Sequence, residues 1–321
     1  MKKLKIDFVD FWPGFNKTDN YFYRLLNNHY NVVIDKKPEL IFYSSFGYNY
    51  LNYNCKRIFY TGENRRPDFT SSDFSFSFDY NSNKRHFRLP LYSIYIDDYK
   101  MHDALLSKIS ENEARRIWDS KTKFCCMIVS NPKAKKRIDF FKNLSKIKHV
   151  DSGGAVLNNI GGRVKDKIDF IKDYKFVFAF ENAMYDGYTT EKILEPLLVN
   201  SIPIYWGNNL LANDFNSEKY IHYNDFLSED LLIEKLLKID GNPELAINML
   251  KAPVFSKNRL TIEKEKEQVL CHIINTIESK RKPIAQTYKK YLHNMKLFIN
   301  RLKKSRYNVL KKNRMNTDNQ K

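Results

Sequence analysis

The stretch with the most chemical content reads Lys175-Phe-Val-Phe-Ala-Phe180, then Glu181-Asn182 through Tyr188-Thr189-Thr190-Glu191-Lys192, then Ser201-Ile-Pro-Ile-Tyr-Trp-Gly207 after an apolar segment over 193–199. Its pattern is strand, loop, helix, strand. In open α/β sheets ligands collect outside the carboxyl ends of strands, so residues 181–192 fall where a binding crevice is expected. Thr189 or Thr190 is placed to cap the following helix, which would point free N–H groups and a positive dipole end at that crevice. The Lys192 ammonium completes an anion site suited to a diphosphate. A helix terminus contributes only about 0.3–1 kcal/mol, so cationic side chains must supply most of the affinity.

A second cation is Arg137, in Ser130-Asn131-Pro132-Lys-Ala-Lys-Lys-Arg137, just past an apolar strand over 124–129. It too follows a strand's carboxyl end, and its planar fork can bridge two phosphate oxygens, whereas Lys135 and Lys136 suit a solvated face. The third piece is Tyr60-Thr61-Gly62-Glu63-Asn64, where a strand ends in a turn carrying a carboxylate. Such a Glu is a solvent-facing or loop-capping residue, or, if two domains face each other across a crevice, a general base for a substrate hydroxyl. Phe11-Trp12-Pro13-Gly14-Phe15 follows the first strand, and Trp12 there suits either core packing or the apolar face of an acceptor sugar.

These residues need a scaffold, and the hydrophobic pattern supplies one. Short strands are expected over 4–11, 31–35, 40–44 and 57–60 with a helix over 21–29, and the rhythm restarts with strands over 124–129, 149–151, 176–180 and 202–206. Continuous Val, Ile and Phe runs fit parallel sheets buried on both faces. The expected architecture is therefore α/β, with an N-terminal domain over 1–120, a second over 121–279, and a boundary near 118–123. Helices are expected over 132–144, 226–237 and 263–277, with Pro243 and Pro253 in loops between them. Pro283 opens a last helix whose Ile284, Tyr288, Tyr291, Met295, Phe298 and Leu302 form a heptad-like stripe.

With 321 residues, 42% of them apolar, the chain can bury one large or two ordinary cores, which excludes disorder and small disulfide scaffolds. No window approaches the roughly 18 apolar residues of a spanning helix. The N-terminus shows no signal-peptide pattern, so a cytoplasmic location is expected. The net charge of +18 is local: residues 280–321 hold fourteen Lys/Arg against one acid, leaving only +5 for residues 1–279. That basic amphipathic tail suits a homodimer through the C-terminal helix, peripheral attachment to anionic lipid at the inner face of the membrane, or a helix packed back on its own domain with a frayed basic end. Nucleic acid is a disfavoured partner, because it would leave Glu63, Arg137 and Lys192 idle. The seven histidines and four cysteines show no ligand spacing, so no metal site is assigned.

Taken together, Tyr60–Asn64, Pro67-Asp68-Phe69, Arg88-Leu89-Pro90-Leu91-Tyr92, Ser130-Asn131 with Arg137, Asp151-Ser152-Gly153-Gly154, the run from Tyr174 to Lys192 and Pro203-Ile204-Tyr205-Trp206-Gly207 resemble the bacterial α-1,3-fucosyltransferases of glycosyltransferase family 10. The resemblance covers most of residues 55–215. Thr189 stands where the family usually carries Val, and residues 1–50 match little of the pattern. The resemblance implies a GT-B fold of two facing Rossmann-like domains, GDP-fucose as donor, a glycan acceptor, and inverting transfer that favours an α-1,3 linkage to N-acetylglucosamine in an N-acetyllactosamine-type end. It further implies Glu63 as catalytic base, Arg137 and Lys192 on the diphosphate, Glu191 on the ribose, and Asn182, Tyr188 and Thr190 lining the donor pocket. Glu181 is a sugar contact or a loop brace. No cofactor is expected, and because no D-x-D triplet occurs, neither is a divalent ion. A different nucleotide sugar, or a basic-tailed nucleic-acid-binding protein, is the alternative reading.

Overall fold

The computed structural model describes the backbone of residues 1–318 and the side chains of residues 1–303 and 305–307, so the tail expected over 280–321 runs past the described residues. The chain divides into two compact units, residues 1–77, 82–87 and 267–321 in the first and residues 78–81 and 88–266 in the second.

The first unit is built on β1 (Lys3–Val9), β2 (Asn31–Ile34), β3 (Leu40–Tyr43), β4 (Lys56–Tyr60), β5 (Phe74–Ser77) and β6 (His86–Arg88), ordered β2-β1-β3-β4-β5-β6. The pairings from β2 to β5 are parallel, with Ile6 beside Leu40, Phe42 beside Ile58 and Ile58 beside Phe74. Every residue of β3 and β5 is buried, the pattern of a sheet covered on both faces. Asn20 caps helix α1 (Tyr21–Asn27), its side chain accepting from Tyr23 N at 3.0 Å. The helix drives Phe22 onto Phe42, ring centroids 4.8 Å apart.

The second unit begins with helices α2 (Leu91–Asp98), α3 (His102–Leu106) and α4 (Glu111–Ser120), and continues through β7 (Lys123–Met127), α5 (Lys135–Ser145), β8 (Val150–Ser152), α6 (Lys167–Ile171), β9 (Tyr174–Phe180), α7 (Leu194–Leu198), β10 (Ile202–Trp206), β11 (Ile221–His222), α8 (Glu229–Asp240), α9 (Pro243–Lys251) and α10 (Ile262–Glu278). Its sheet is wholly parallel, in the order β11-β10-β9-β7-β8.

The units differ from the division at residue 120 expected from the strand rhythm. The reason is packing: Tyr92, Ile96, Met101 and Leu105 share one buried cluster with Ala179, Leu194 and Tyr205, and Ala114 and Trp118 join Phe176 and Ile204 in another. Residues 91–120 therefore belong to the second core, while 267–321 return to the first unit. Pro243 is not in a loop but at the first turn of α9, where its missing N–H costs nothing. Pro132 does not begin a helix; α5 starts at Lys135. Pro283 opens only a short 3-10 turn, Ile284–Gln286, before α11 (Lys289–Asp318).

Helix α11 is held to the first unit by a residue outside the expected stripe. His293, buried, bonds Tyr50 Oη at 2.6 Å and Asp68 Oδ2 at 3.2 Å. Ile284 and Ala285 are buried with it, while Tyr288, Tyr291, Met295, Phe298 and Leu302 are all exposed. Among the described residues no helix is long and apolar enough to cross a membrane.

Candidate active site

Strands β7 and β9 are parallel neighbours, so the segments leaving Met127 and Phe180 start from one sheet edge. Arg137 lies in the first turn of α5 and is buried. Its Nη2 donates to the Phe180 carbonyl and, at 3.0 Å, to Asn182 Oδ1. A guanidinium has five N–H groups, so the three on Nε and Nη1 remain without a protein partner among the described residues. Burial pulls the Arg137 pKa down, and the Glu181 carboxylate opposes that.

Glu181 leaves β9 with its side chain fully buried, and both carboxylate oxygens are engaged. Thr190 N donates to Oε1 at 2.7 Å and the Thr190 hydroxyl reaches Oε2 at 2.8 Å. Burial pushes this carboxyl up against the pull of Lys192. Glu181 is thus a brace that folds the loop back on the strand end. Gly207 makes room for it: at φ +152, a Cβ there would lie 2.5 Å from Glu181 Cγ. Thr190, expected with Thr189 as a candidate helix cap, gives its hydroxyl proton to Glu181 and accepts from Lys192 N at only 3.5 Å, and residues 191–193 form a turn before the five-residue α7. The anion site must therefore rest on side chains more than on a helix terminus.

Lys192 shares its three protons among Thr190 Oγ1 at 3.0 Å, Glu191 Oε1 at 3.2 Å and Glu181 Oε2 at 3.4 Å. Burial lowers the Lys192 pKa, but the two carboxylates outweigh it and raise it overall. Burial likewise works to raise Glu191, and Lys192 outweighs it, so Glu191 is held ionised below the ordinary range. Lys167, ion-paired with Glu195, lines one pocket with Arg137 and Lys192. Nothing in the spacing of Lys167 marks it in the sequence.

Asn208 escaped sequence reasoning, and Arg88, which opens the motif Arg88-Leu89-Pro90-Leu91-Tyr92, was expected without a role of its own. Asn208, fully buried, accepts from Gly187 N at 2.7 Å through Oδ1 and donates to Thr189 Oγ1 at 3.0 Å, a bond that an apolar side chain at position 189 could not accept. Arg88 makes a two-pronged pair with Asp214 at 2.8 and 2.7 Å and reaches the carbonyls of Phe78 and Gly187. Asn directly after a strand-ending Gly is the signal that could have found Asn208. Tyr188, expected to line the donor pocket, is buried edge-on to Phe78 at 5.0 Å, and the sequence run gave no hint of that partner.

In the first unit Glu63 follows β4 at the carboxyl edge of its sheet and is exposed. The turn that presents it is tied by Glu63 N to Thr61 Oγ1 at 3.0 Å and Arg65 N to Glu63 O at 2.6 Å. Trp12 follows β1 at the same kind of edge, 39% exposed, with Phe15 edge-on at 5.0 Å. The structure thus brings Arg137 to Asn182 and joins Glu181, Thr190, Glu191 and Lys192 in one network, with Tyr188 beside them in the same unit.

Two parallel α/β units with a cation and carboxylate array at a strand edge define a GT-B glycosyltransferase fold. The chain aligns with a crystal structure of an α1,3-fucosyltransferase with GDP-fucose at 26% identity and a TM-score of 0.71, covering 88% of this chain and 92% of that one. Residues 6–95 match the family model of the alpha-(1,3)-fucosyltransferase FucT N-terminal domain, including most of the stretch whose motif resemblance was slight, and residues 118–295 match the C-terminal model of glycosyltransferase family 10 (fucosyltransferase). The chain belongs to glycosyltransferase family 10. It is 32% identical over 285 residues to the alpha-(1,3)-fucosyltransferase FucT of Helicobacter pylori, covering 77% of this chain and 59% of that protein. With the human 4-galactosyl-N-acetylglucosaminide 3-alpha-L-fucosyltransferase 9 it shares 31% identity over 134 residues, 40% of this chain and 36% of the other. The chain therefore spans less than two thirds of the length of these relatives.

Proposed function

We propose that the chain transfers fucose from GDP-fucose, with inversion, to a hydroxyl of N-acetylglucosamine in an N-acetyllactosamine-type glycan, with α-1,3 linkage favoured. The observation that carries this reading is the buried array in which Arg137 keeps three unpartnered N–H groups beside the Glu181, Thr190, Lys192 and Glu191 network, in a chain of family 10. The relative named for a 4-galactosyl-N-acetylglucosaminide supports the acceptor class.

Displacement at the anomeric carbon builds negative charge on the departing diphosphate, and cations already fixed in place lower that barrier without reorganising. Arg137 offers its open N–H groups as a fork. Lys192 exchanges its longer contacts to Glu191 and Glu181 for phosphate oxygens, and Glu191 is then free to accept from a ribose hydroxyl. Glu63 removes the proton of the acceptor hydroxyl, a role worth on the order of 10²–10⁴ in rate. With Arg137 and Lys192 balancing the leaving group, transfer needs no divalent ion. The exposed stripe from Tyr288 to Leu302, flanked by Lys and Arg, attaches the enzyme to anionic lipid at the cytoplasmic membrane face, with pairing of two copies as the competing use.

Isothermal titration with GDP, GDP-fucose, UDP and UDP-galactose in EDTA tests the donor. Selective binding of the guanine nucleotides supports it. Binding of uridine nucleotides alone points to another sugar donor and overturns the reading, as does binding of none.

A further inference from the structure

The first unit carries a second charged cavity that the transfer reaction does not use. It lies at the amino-terminal edge of the sheet, where Lys56 opens β4, Asp73 precedes β5 and Lys84 and Arg85 precede β6; Glu63 sits past the other end of β4. The far wall is the last turns of α10 and the segment after it, and the cavity is about 650 Å³. That volume suits a small polar molecule or a headgroup.

Its charge is one-sided. Lys56, Lys84, Arg85, Arg281, Lys282 and Lys289 line it against the single carboxylate of Asp73. Asp73 is already committed, accepting from Arg57 N at 2.8 Å and from Ile284 N at 2.9 Å, and burial pushes its carboxyl up. None of the six cations has a carboxylate ion pair among the described residues. Arg85 is fixed by Ser72 O and Phe69 O, each at 3.0 Å, which leaves further N–H groups open. Lys56 gives one proton to Arg281 O at 2.6 Å and keeps two. Burial lowers the Arg85 pKa, Asp73 opposes that, and the positive charge of Arg281 lowers it further, so like charges are held close with a single acid among them. His272, stacked on Phe74 at 4.8 Å, holds the helix wall in place. Asn275 and Ser279 add neutral polar groups on that wall.

Crowded cations with spare donors, six against the one carboxylate of Asp73, make an anion receptor. We propose that this cavity binds a phosphate-bearing ligand with at least two anionic groups, at a site separate from the array around Arg137 and Lys192. The ligand is a soluble phosphate compound or the headgroup of an anionic lipid, the same chemistry from two sources.

The test uses the full chain and the variant K84Q/R281Q/K282Q, whose side chains make no hydrogen bond to the backbone among the described residues. Unchanged melting temperature and GDP affinity establish that the fold and the other array are intact, so the result stands whatever the donor proves to be. Equilibrium dialysis with labelled inorganic diphosphate should show one fewer bound equivalent per chain in the variant, with the difference shrinking as salt rises. Co-sedimentation with phosphatidylglycerol/phosphatidylcholine vesicles separates the sources: a parallel loss of at least about tenfold assigns the site to lipid headgroups, and unchanged vesicle binding with lost diphosphate assigns it to a soluble ligand. Equal diphosphate stoichiometry and affinity in wild type and variant, with equal vesicle binding, overturns the proposal.

Discussion

Replacing Arg137 by Lys keeps one positive charge at the start of α5 and removes the fork. In the wild type one nitrogen, Nη2, holds both the Phe180 carbonyl and Asn182 Oδ1, and the three N–H groups on Nε and Nη1 remain for phosphate oxygens. An ammonium has three donors in all. If two stay on Phe180 and Asn182, one is left, so two charge-assisted hydrogen bonds to the diphosphate disappear. At about 1.5–3 kcal/mol each the lost pair reaches several kcal/mol, and the retained charge brings the net loss to about 3 kcal/mol. That is about a hundredfold in Kd. Isothermal titration of GDP against wild type and Arg137→Lys measures it, with GMP as the internal control. GMP offers one phosphate to the fork and should lose only about tenfold. A GDP affinity within about threefold of wild type would refute the assignment of those N–H groups to the diphosphate.

Lys192→Ala removes the ammonium that ties Glu181, Thr190 and Glu191 together and should weaken GDP binding by at least about tenfold in the same titration; equal affinity would take Lys192 out of the site. Gly154→Ala places a Cβ 2.1 Å from Val129 O and 2.4 Å from Val129 N, a backbone collision that should cost about 3 kcal/mol and lower the melting temperature by several degrees; an unshifted melting curve would contradict it. For Asp68, burial works to raise the carboxyl, but hydrogen bonds from His293 and Thr70 and the Lys296 charge outweigh it and hold it below the ordinary range. A depressed carboxylate stabilises above its unfolded value near 4 and loses that contribution as pH falls through its folded value. Amide exchange in the first turns of α11, corrected for intrinsic rates, should therefore rise as pH falls from about 5 to 3, and Asp68→Asn should show the faster exchange already at neutral pH. Exchange insensitive to both would show that Asp68 does not hold the helix.

Much of this was legible in the sequence because strand runs and strand ends are local signals. The segment from Lys175 to Gly207 announced two buried strands with a polar loop between them, and β10 falls on the expected residues 202–206. That Arg137 and Lys192 line one pocket followed from two strands ending at one sheet edge. What stayed hidden depends on partners distant in the chain. Residues 91–120 are apolar enough for either core, and only Phe176, Ala179 and Tyr205 decide which core they complete. The expected stripe on the last helix is real as a pattern, yet the helix docks through His293 because Tyr50 and Asp68 await it on the sheet side. Thr190 carries the residue type of a cap, but its oxygen receives Lys192 N at only 3.5 Å while its proton goes to the buried Glu181 carboxylate, and α7 starts later, at Leu194. Lys167 and Asn208 gain their roles only from Glu195 and Thr189, which no spacing rule connects to them.

We propose that this chain moves fucose from GDP-fucose with Glu63 as base. The most direct measurement is transfer of radiolabelled fucose to N-acetyllactosamine in EDTA by wild type and Glu63→Gln, with GDP affinity measured on the same preparations. Expected are metal-independent transfer by the wild type, a loss of at least about a hundredfold in Glu63→Gln, and the same GDP affinity in both. Transfer undiminished in Glu63→Gln, or no transfer by wild-type protein that binds GDP-fucose, would contradict it.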